Sequence, residues 1–453
     1  MTAAAAAARP DLRVLRYLVI AALAVLAVAA ADYWRGGHAP VSEAGAPLTP
    51  DELRPGTGPR TFADALANAE REVAGARIAL AHNPGEWLRM EQGARALLAR
   101  YRLTGRAADL AEADAMLESA LGLAPWPAGP ALSGAASALA VHDLAAAERS
   151  LERFDASGAP PTLAEQLDAQ SLRCEIAYQR GNLPQARRLC GEGDDLALAL
   201  RRANLAARSG DTGGAARLLE ELLRRPGLSP QTLAMLSLQR ASVALAAGDW
   251  QASGRWARAA ERVFPGYWLS EAYVAQQYAL EGDRAEARRR YAALAERTGD
   301  PAVFDALARL AAADGRSEEA GGWAQRAGEA WRARSRLLPL AYASHYSEHL
   351  LLYGDPRAAL EPAATDYRRR PHPTTIVHYA LALWRTGAPE RALEVVRKGE
   401  AAGFLTADMK LAEAVSLGAL GRAAEAGEAL AAARQLNPRI DSFSQQFVAF
   451  AQD

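Results

Sequence analysis

The chain has 453 residues, half of them apolar and only 7% aromatic, with a formal net charge of -1. That length is two to three times a usual domain, so the chain is several domains or one extended repeat array. Near neutrality excludes the broad basic field that nucleic acid or an acidic lipid surface would meet.

Alanine dominates the apolar fraction and is the best helix former, so an all-α class is expected. Lys398 and Lys410 are the only lysines, and nearly all positive charge is arginine. Together with the Ala, Gly and Pro excess this reads as a GC-rich genome, not as selection for guanidinium chemistry.

In chain order, residues 1–16 form an N-terminal tail with Arg9, Arg13 and Arg16, expected to stay inside. An uncharged run follows from Tyr17 to Ala31 and ends at Asp32, Tyr33, Trp34 and Arg35. Two readings stand. The first is a retained single-pass signal anchor over 17–34, with Tyr33 and Trp34 as an interfacial aromatic pair. The second is a cleavable signal peptide: fifteen helical residues cover about 22 Å against a hydrocarbon core of about 30 Å, and Ala27, Ala29 and Ala31 are small. Either reading exports the body, to the periplasmic side of the inner membrane of a Gram-negative-type bacterium or free into the periplasm or beyond. Residues 35–60 carry five prolines and five glycines and read as a flexible linker. Residues 61–85 read as a capping helix.

From residue 86 to 438 a short pattern returns: a glycine, a variable stretch, and a small residue five places on. It reads GNLPQA at Gly181, GDTGGA at Gly210, GDWQAS at Gly248, GDRAEA at Gly282, GRSEEA at Gly315, GDPRAA at Gly354, GAPERA at Gly387 and GRAAEA at Gly421. The steps are 29, 38, 34, 33, 39, 33 and 34 residues. GRAADL at Gly105 and HDLAAA at His142 extend the array upstream to ten units. Glycine ends a helix in the left-handed conformation, and the aspartate that often follows caps the next. The small residue at Ala186, Ala215, Ser253, Ala287, Ala320, Ala359, Ala392 or Ala426 lets the second helix approach the first. Seven places before each glycine stand Cys174, Ala203, Ala241, Ala275, Ala308, Ser347, Ala380 and Ala414, so both crossing points are small. Prolines close units at Pro265, Pro371 and Pro438. Residues 439–453, through Ser442 to Gln452, read as a closing helix.

A period near 34, paired helices, small crossing residues and terminal prolines resemble the tetratricopeptide repeat. That resemblance implies a right-handed superhelical solenoid of about ten hairpins that binds a protein or peptide partner along its concave face, with no chemistry and no cofactor. It places Glu175, Tyr178, Asn204, Arg208, Gln276, Arg309, Glu348, Trp384 and Arg385 on that face, interspersed with Ala279, Leu280, Ala312, Ala313, Leu351 and Leu352. A rival reading of the same fold is an accessory for assembly or secretion of an envelope polysaccharide or surface structure.

A reading from another class rests on HYSEH at His345 to His349, which fits the H-x-x-E-H spelling of inverted zincins. His345, Glu348, His349 and, at the equivalent position of the next unit, His378 form a metal candidate, but no carboxylate is placed by sequence as the third ligand and Ser347 is a crossing residue. Cys174 and Cys190, the only cysteines, fall on the two helices of one hairpin; a disulfide and two buried thiols are both open. No phosphate-cradling loop, G-x-S-x-G elbow or CxxC pair is present.

Overall fold

The computed structural model describes residues 48–440. Among them are twenty-one α-helices and no strand. The tail at 1–16, the apolar segment at 17–34 and the closing helix from Ser442 lie outside the described residues. Among the described residues no helix is long and apolar enough to cross a membrane.

Helix α1 (Phe62–His82) precedes ten helical hairpins. Their first helices are α2 (Trp87–Thr104), α4 (Ala131–Ala140), α6 (Leu163–Gln179), α8 (Leu196–Arg208), α10 (Pro230–Ala246), α12 (Trp268–Glu281), α14 (Pro301–Ala313), α16 (Pro339–Tyr353), α18 (Pro373–Arg385) and α20 (Ala407–Ala419). Their second helices are α3 (Ala107–Leu123), α5 (Leu144–Asp155), α7 (Leu183–Cys190), α9 (Thr212–Leu223), α11 (Trp250–Val263), α13 (Arg284–Thr298), α15 (Ser317–Leu337), α17 (Pro356–Arg369), α19 (Pro389–Ala401) and α21 (Ala423–Leu436).

The turn chemistry is local. Asn182, Asp211, Asp249, Asp283 and Asp355 each accept a backbone N–H of the second helix they open. His142 takes the place of the turn glycine in the second hairpin and adopts φ 64°, while Gly354 departs from the pattern with φ -108°. The crossing residues Ala203, Ala241, Ala275 and Ala308 are fully buried, as are Ala215, Ala287, Ala359 and Ala392 opposite. Ala320 and Ala426 are only half-buried.

The solenoid coils tightly enough for its successive superhelical turns to touch. The turns of hairpins two, three and four meet the starts of hairpins eight, nine and ten. His142 Nδ1 lies 3.4 Å from the Leu340 carbonyl, Gly181 abuts Pro371, and Leu405 N donates to the Arg208 carbonyl at 3.0 Å. The turn of hairpin five meets Asn437, whose Nδ2 reaches the Leu245 carbonyl at 3.4 Å. At the other end Trp268 Nε1 donates to the Leu103 carbonyl at 3.0 Å. The seam therefore joins hairpins six apart at three places and five apart at the other end.

This seam corrects the reading of residues 35–60 as a flexible linker, for the part that is described. Leu53 is buried, Gly56 N donates to the Leu228 carbonyl at 2.7 Å, and Asp51 pairs with Arg262 at 3.0 Å. Proline and glycine exclude a long helix or strand here; Pro50–Glu52 forms one 3-10 turn, and the segment is seated on the start of the next superhelical turn.

The seam gives Gly181 a second requirement beyond φ 75°: an added Cβ would stand 2.9 Å from the Pro371 carbonyl oxygen. Gly315, at φ 71°, has nothing within 4 Å. Gly315→Ala is expected to cost about 1–2 kcal/mol, the left-handed penalty alone. Gly181→Ala is expected to cost at least about 1 kcal/mol more, because backbone must move. Urea denaturation of the two variants measures the difference, and equal losses would show that the seam does not resist the added methyl.

Candidate functional site

The inner face is built by the first helix of each hairpin, and over much of the array its polar groups are already engaged. Glu175 pairs with Arg201 and accepts from Gln179 at 2.8 Å. The Tyr178 ring centroid lies 5.5 Å from that of His372 and 6.0 Å from that of Phe404, so it packs in the seam. Gln276 is buried. Arg309, 9% exposed, stands 3.8 Å from Glu348 across adjacent first helices. Arg385 is exposed, and its Nη1 donates to the Leu351 carbonyl at 3.1 Å. Asn204, Arg208 and Trp384 are half-buried. Leu280 and Leu351 are buried, whereas Leu352 is exposed.

The H-x-x-E-H residues are drawn into separate partnerships. His345 stacks on Trp331 with ring centroids 5.3 Å apart. His349 Nδ1 donates to Asp305 Oδ1 at 2.8 Å, and its Nε2 faces Gly328, where even a Cβ would stand 2.8 Å from it. Asp305 also accepts from Trp331 Nε1 at 2.7 Å, making it a buried hub between α14, α15 and α16. His378 Nδ1 is 3.0 Å from Ser344 Oγ, and Glu348 faces Arg309. Among the described residues no group of three or more His, Cys, Asp or Glu is placed to hold a metal. The spacing that suits a zincin helix here lets both rings pack against the neighbouring hairpin.

Cys174 and Cys190 are disulfide-bonded, with Cα atoms 5.3 Å apart. The bond ties α6 to α7, which at eight residues is the shortest of the second helices.

The open part of the inner face lies in the first three hairpins. A cleft of about 1190 Å³ runs between α1, α2, α4 and α6. Its origin is legible in the helix lengths: α4 has 10 residues, whereas α2 has 18 and α6 has 17. Pro125, Pro127 and Pro130 exclude the missing helical turns, leaving a gap between the flanking first helices. Arg153 braces the loop that fills their place, donating to the carbonyls of Leu121, Ala124 and Ala128 at 2.7, 2.6 and 2.7 Å. Trp126, 65% exposed, lies against the same guanidinium. The walls include Ala76, Ala99 and Ala136, with Arg95 and Arg102 from α2 and Glu165 and Asp168 from α6.

Counted back from Gly105 and His142, Ala99, Arg102 and Ala136 stand at the offsets that Glu175 and Tyr178 hold before Gly181, so the register reaches these cleft residues, but not the gap between them. The available signal is the prolines that shorten α4.

The chain is a solenoid of ten tetratricopeptide-like hairpins. No protein-family model matches it, and no curated protein matches it. Solved structures that resemble it include yeast Tom70, with 14% identity, TM-score 0.35, and coverage of 84% of this chain and 91% of that one. A Rap protein complexed with competence and sporulation factor has 10% identity and TM-score 0.40, over 68% of this chain and 97% of that one. The Cut9–Hcn1 hetero-tetramer of the APC/C has 12% identity and TM-score 0.37, over 86% and 83%. At such values the likeness assigns neither partner nor activity to this chain.

Proposed function

We propose that this protein is a non-catalytic scaffold, exported and held at or released from the inner membrane, which receives a segment of a partner protein in the cleft of its first three hairpins. The observation that carries the reading is the cleft itself. Elsewhere the inner-face side chains that the repeat register selects are largely engaged within the chain, whereas here a cleft of about 1190 Å³ with alanine walls and charged rims stands open. Pockets of this kind, mostly apolar with a few placed polar groups, are the ordinary form of a binding site. Export is supported by the arginines and apolar run of residues 9–35 and agrees with a disulfide between the only two cysteines.

A photo-crosslinking side chain at Ala136, inside the cleft, should yield a discrete adduct in cells, and Ala99→Trp, which fills the cleft, should abolish it. The same crosslinker at Gly322, exposed on α15, is the comparison. Equal adducts from both positions, or an adduct at Ala136 that survives Ala99→Trp, would move the binding surface elsewhere.

A further inference from the structure

We infer that copies of this chain stack head to tail, with the apolar junctions that open hairpins one to three of one copy seated on the glycine turns of hairpins six to ten of the next. The association is separate from whatever segment the cleft receives.

The seam within one chain shows how such faces fit. Each hairpin has a turn edge, where its two helices are joined, and a junction edge, where the previous element gives way to its first helix. Across the seam a bulky junction side chain lies on a turn glycine. An added Cβ would stand 3.2 Å from the Trp268 ring at Gly105, 3.0 Å from the Pro371 ring at Gly181, 3.0 Å from Leu405 Cδ2 at Gly210 and 3.1 Å from Pro438 Cδ at Gly248. A turn residue without Cβ leaves a shallow seat, and an apolar side chain set into it is withdrawn from water.

Only part of each edge is used within the chain. Turns one to five meet the chain's own later junctions. Among the described residues an added Cβ at Gly282, Gly315, Gly387 or Gly421, in turns six, seven, nine and ten, would meet nothing within 4 Å. The junction of hairpin five is covered by residues 48–60 at Leu228, and those of hairpins six, eight, nine and ten by turns, at Trp268, Leu340, Pro371 and Leu405.

The first three junctions lack such a cover among the described residues, and they are apolar. Leu88, Leu123, Trp126 and Leu163 are four of the seven large apolar side chains exposed there, so the exposure is concentrated and not scattered. Leu88 and Leu163 lie in the first turns of α2 and α6, Leu123 ends α3, and Trp126 stands between α3 and α4, which puts all four on the junction edge. Leu352, also exposed, lies beside the turn of hairpin eight. Open junctions at one end and open turns at the other are the two halves of the seam. A second copy that continues the superhelix brings them together. Because the two faces differ, the contact is heterologous and leaves one free face at each end, so stacks grow beyond a dimer.

The test uses the full chain, grown separately in light- and heavy-nitrogen medium and mixed, with a photo-crosslinking side chain at Leu163. Adducts that join light to heavy peptides should link position 163 of one copy to the turn segments of hairpins six to ten of another. Sedimentation velocity should show species larger than a dimer as concentration rises. L88E/L163E puts acidic side chains at exposed helix starts, where the dipole favours them, so folding should hold. It should nevertheless raise the concentration of half-association at least about tenfold, the loss expected from a single buried leucine. A285R/S317R, which sets long cations at exposed positions beside Gly282 and Gly315, should do the same. Mixed in equal amounts, the two variants should form a dimer and nothing larger, because each keeps one intact face, and that recovery shows both to be folded. Adducts confined to one copy, mixed-isotope adducts that join junction to junction, or a native chain that stays monomeric overturns the inference. So does association that L88E/L163E leaves unchanged, or a mixture of the variants that recovers no dimer.

Discussion

Asp366→Ala is expected to cost about 3–5 kcal/mol, because it strands a guanidinium that has no other access to water. Arg370 is 1% exposed, and its Nε and Nη2 each meet one oxygen of Asp366 at 2.8 Å. The pair closes the corner between α17 and α18, and the next residue, Pro371, is the one that Gly181 abuts across the seam. Loss of the carboxylate therefore acts twice, through an unpaid buried charge and through a loosened contact between superhelical turns. Removing both partners should be far milder: Asp366→Leu with Arg370→Met replaces the ion pair by packing and is expected within about 1–2 kcal/mol of the native protein. Urea denaturation of the single and double variants reads this directly. A single variant as stable as the native chain would mean that Arg370 finds solvent or another acceptor.

Removal of the disulfide is the second large effect. Its cysteines are 16 residues apart, and closing a loop of that size is worth about 3 kcal/mol through the unfolded state. The loss should be local, since hairpins of a solenoid couple mainly to their neighbours. It should fall on hairpin three, whose eight-residue α7 has little helix of its own to hold it against α6. Ser171 and Leu172, immediately before Cys174, line the cleft, so the Cys174→Ala, Cys190→Ala variant should bind cleft-dependent partners more weakly as well as melt earlier. The bond also reports compartment. Protein taken from its native location and alkylated with and without reductant should differ in mass by two labelled thiols. Equal labelling in both samples would remove the support that the disulfide lends to export.

The array was legible in sequence because its determinants are local. A turn glycine, a capping Asn or Asp one residue on, and small residues at two fixed offsets define one hairpin without reference to any other. The structure keeps that register at Cys174, Ala203, Ala241 and their opposite numbers. Even the histidine at 142 stands at a turn and takes the left-handed backbone that glycine takes elsewhere. Register also identifies which side chains belong to the first helices, and the tetratricopeptide resemblance implies that Glu175, Gln276, Arg309 and Arg385 share one face.

Whether those side chains remain open was decided by tertiary structure. A small rotation from each hairpin to the next accumulates until residues nearly two hundred positions apart meet, as His142 meets Leu340 and Gly181 meets Pro371. No period of 34 residues contains that information. The same accumulation draws Tyr178 onto His372 and Phe404, and seats residues 48–60 against hairpin five. The cleft has the opposite cause: three prolines shorten one helix, the neighbours on either side keep their length, and a gap opens that exists only between hairpins. Helix, turn and crossing point follow from sequence because a few adjacent residues set their energy; the seam and the cleft follow from structure because they are sums over many hairpins or differences between them.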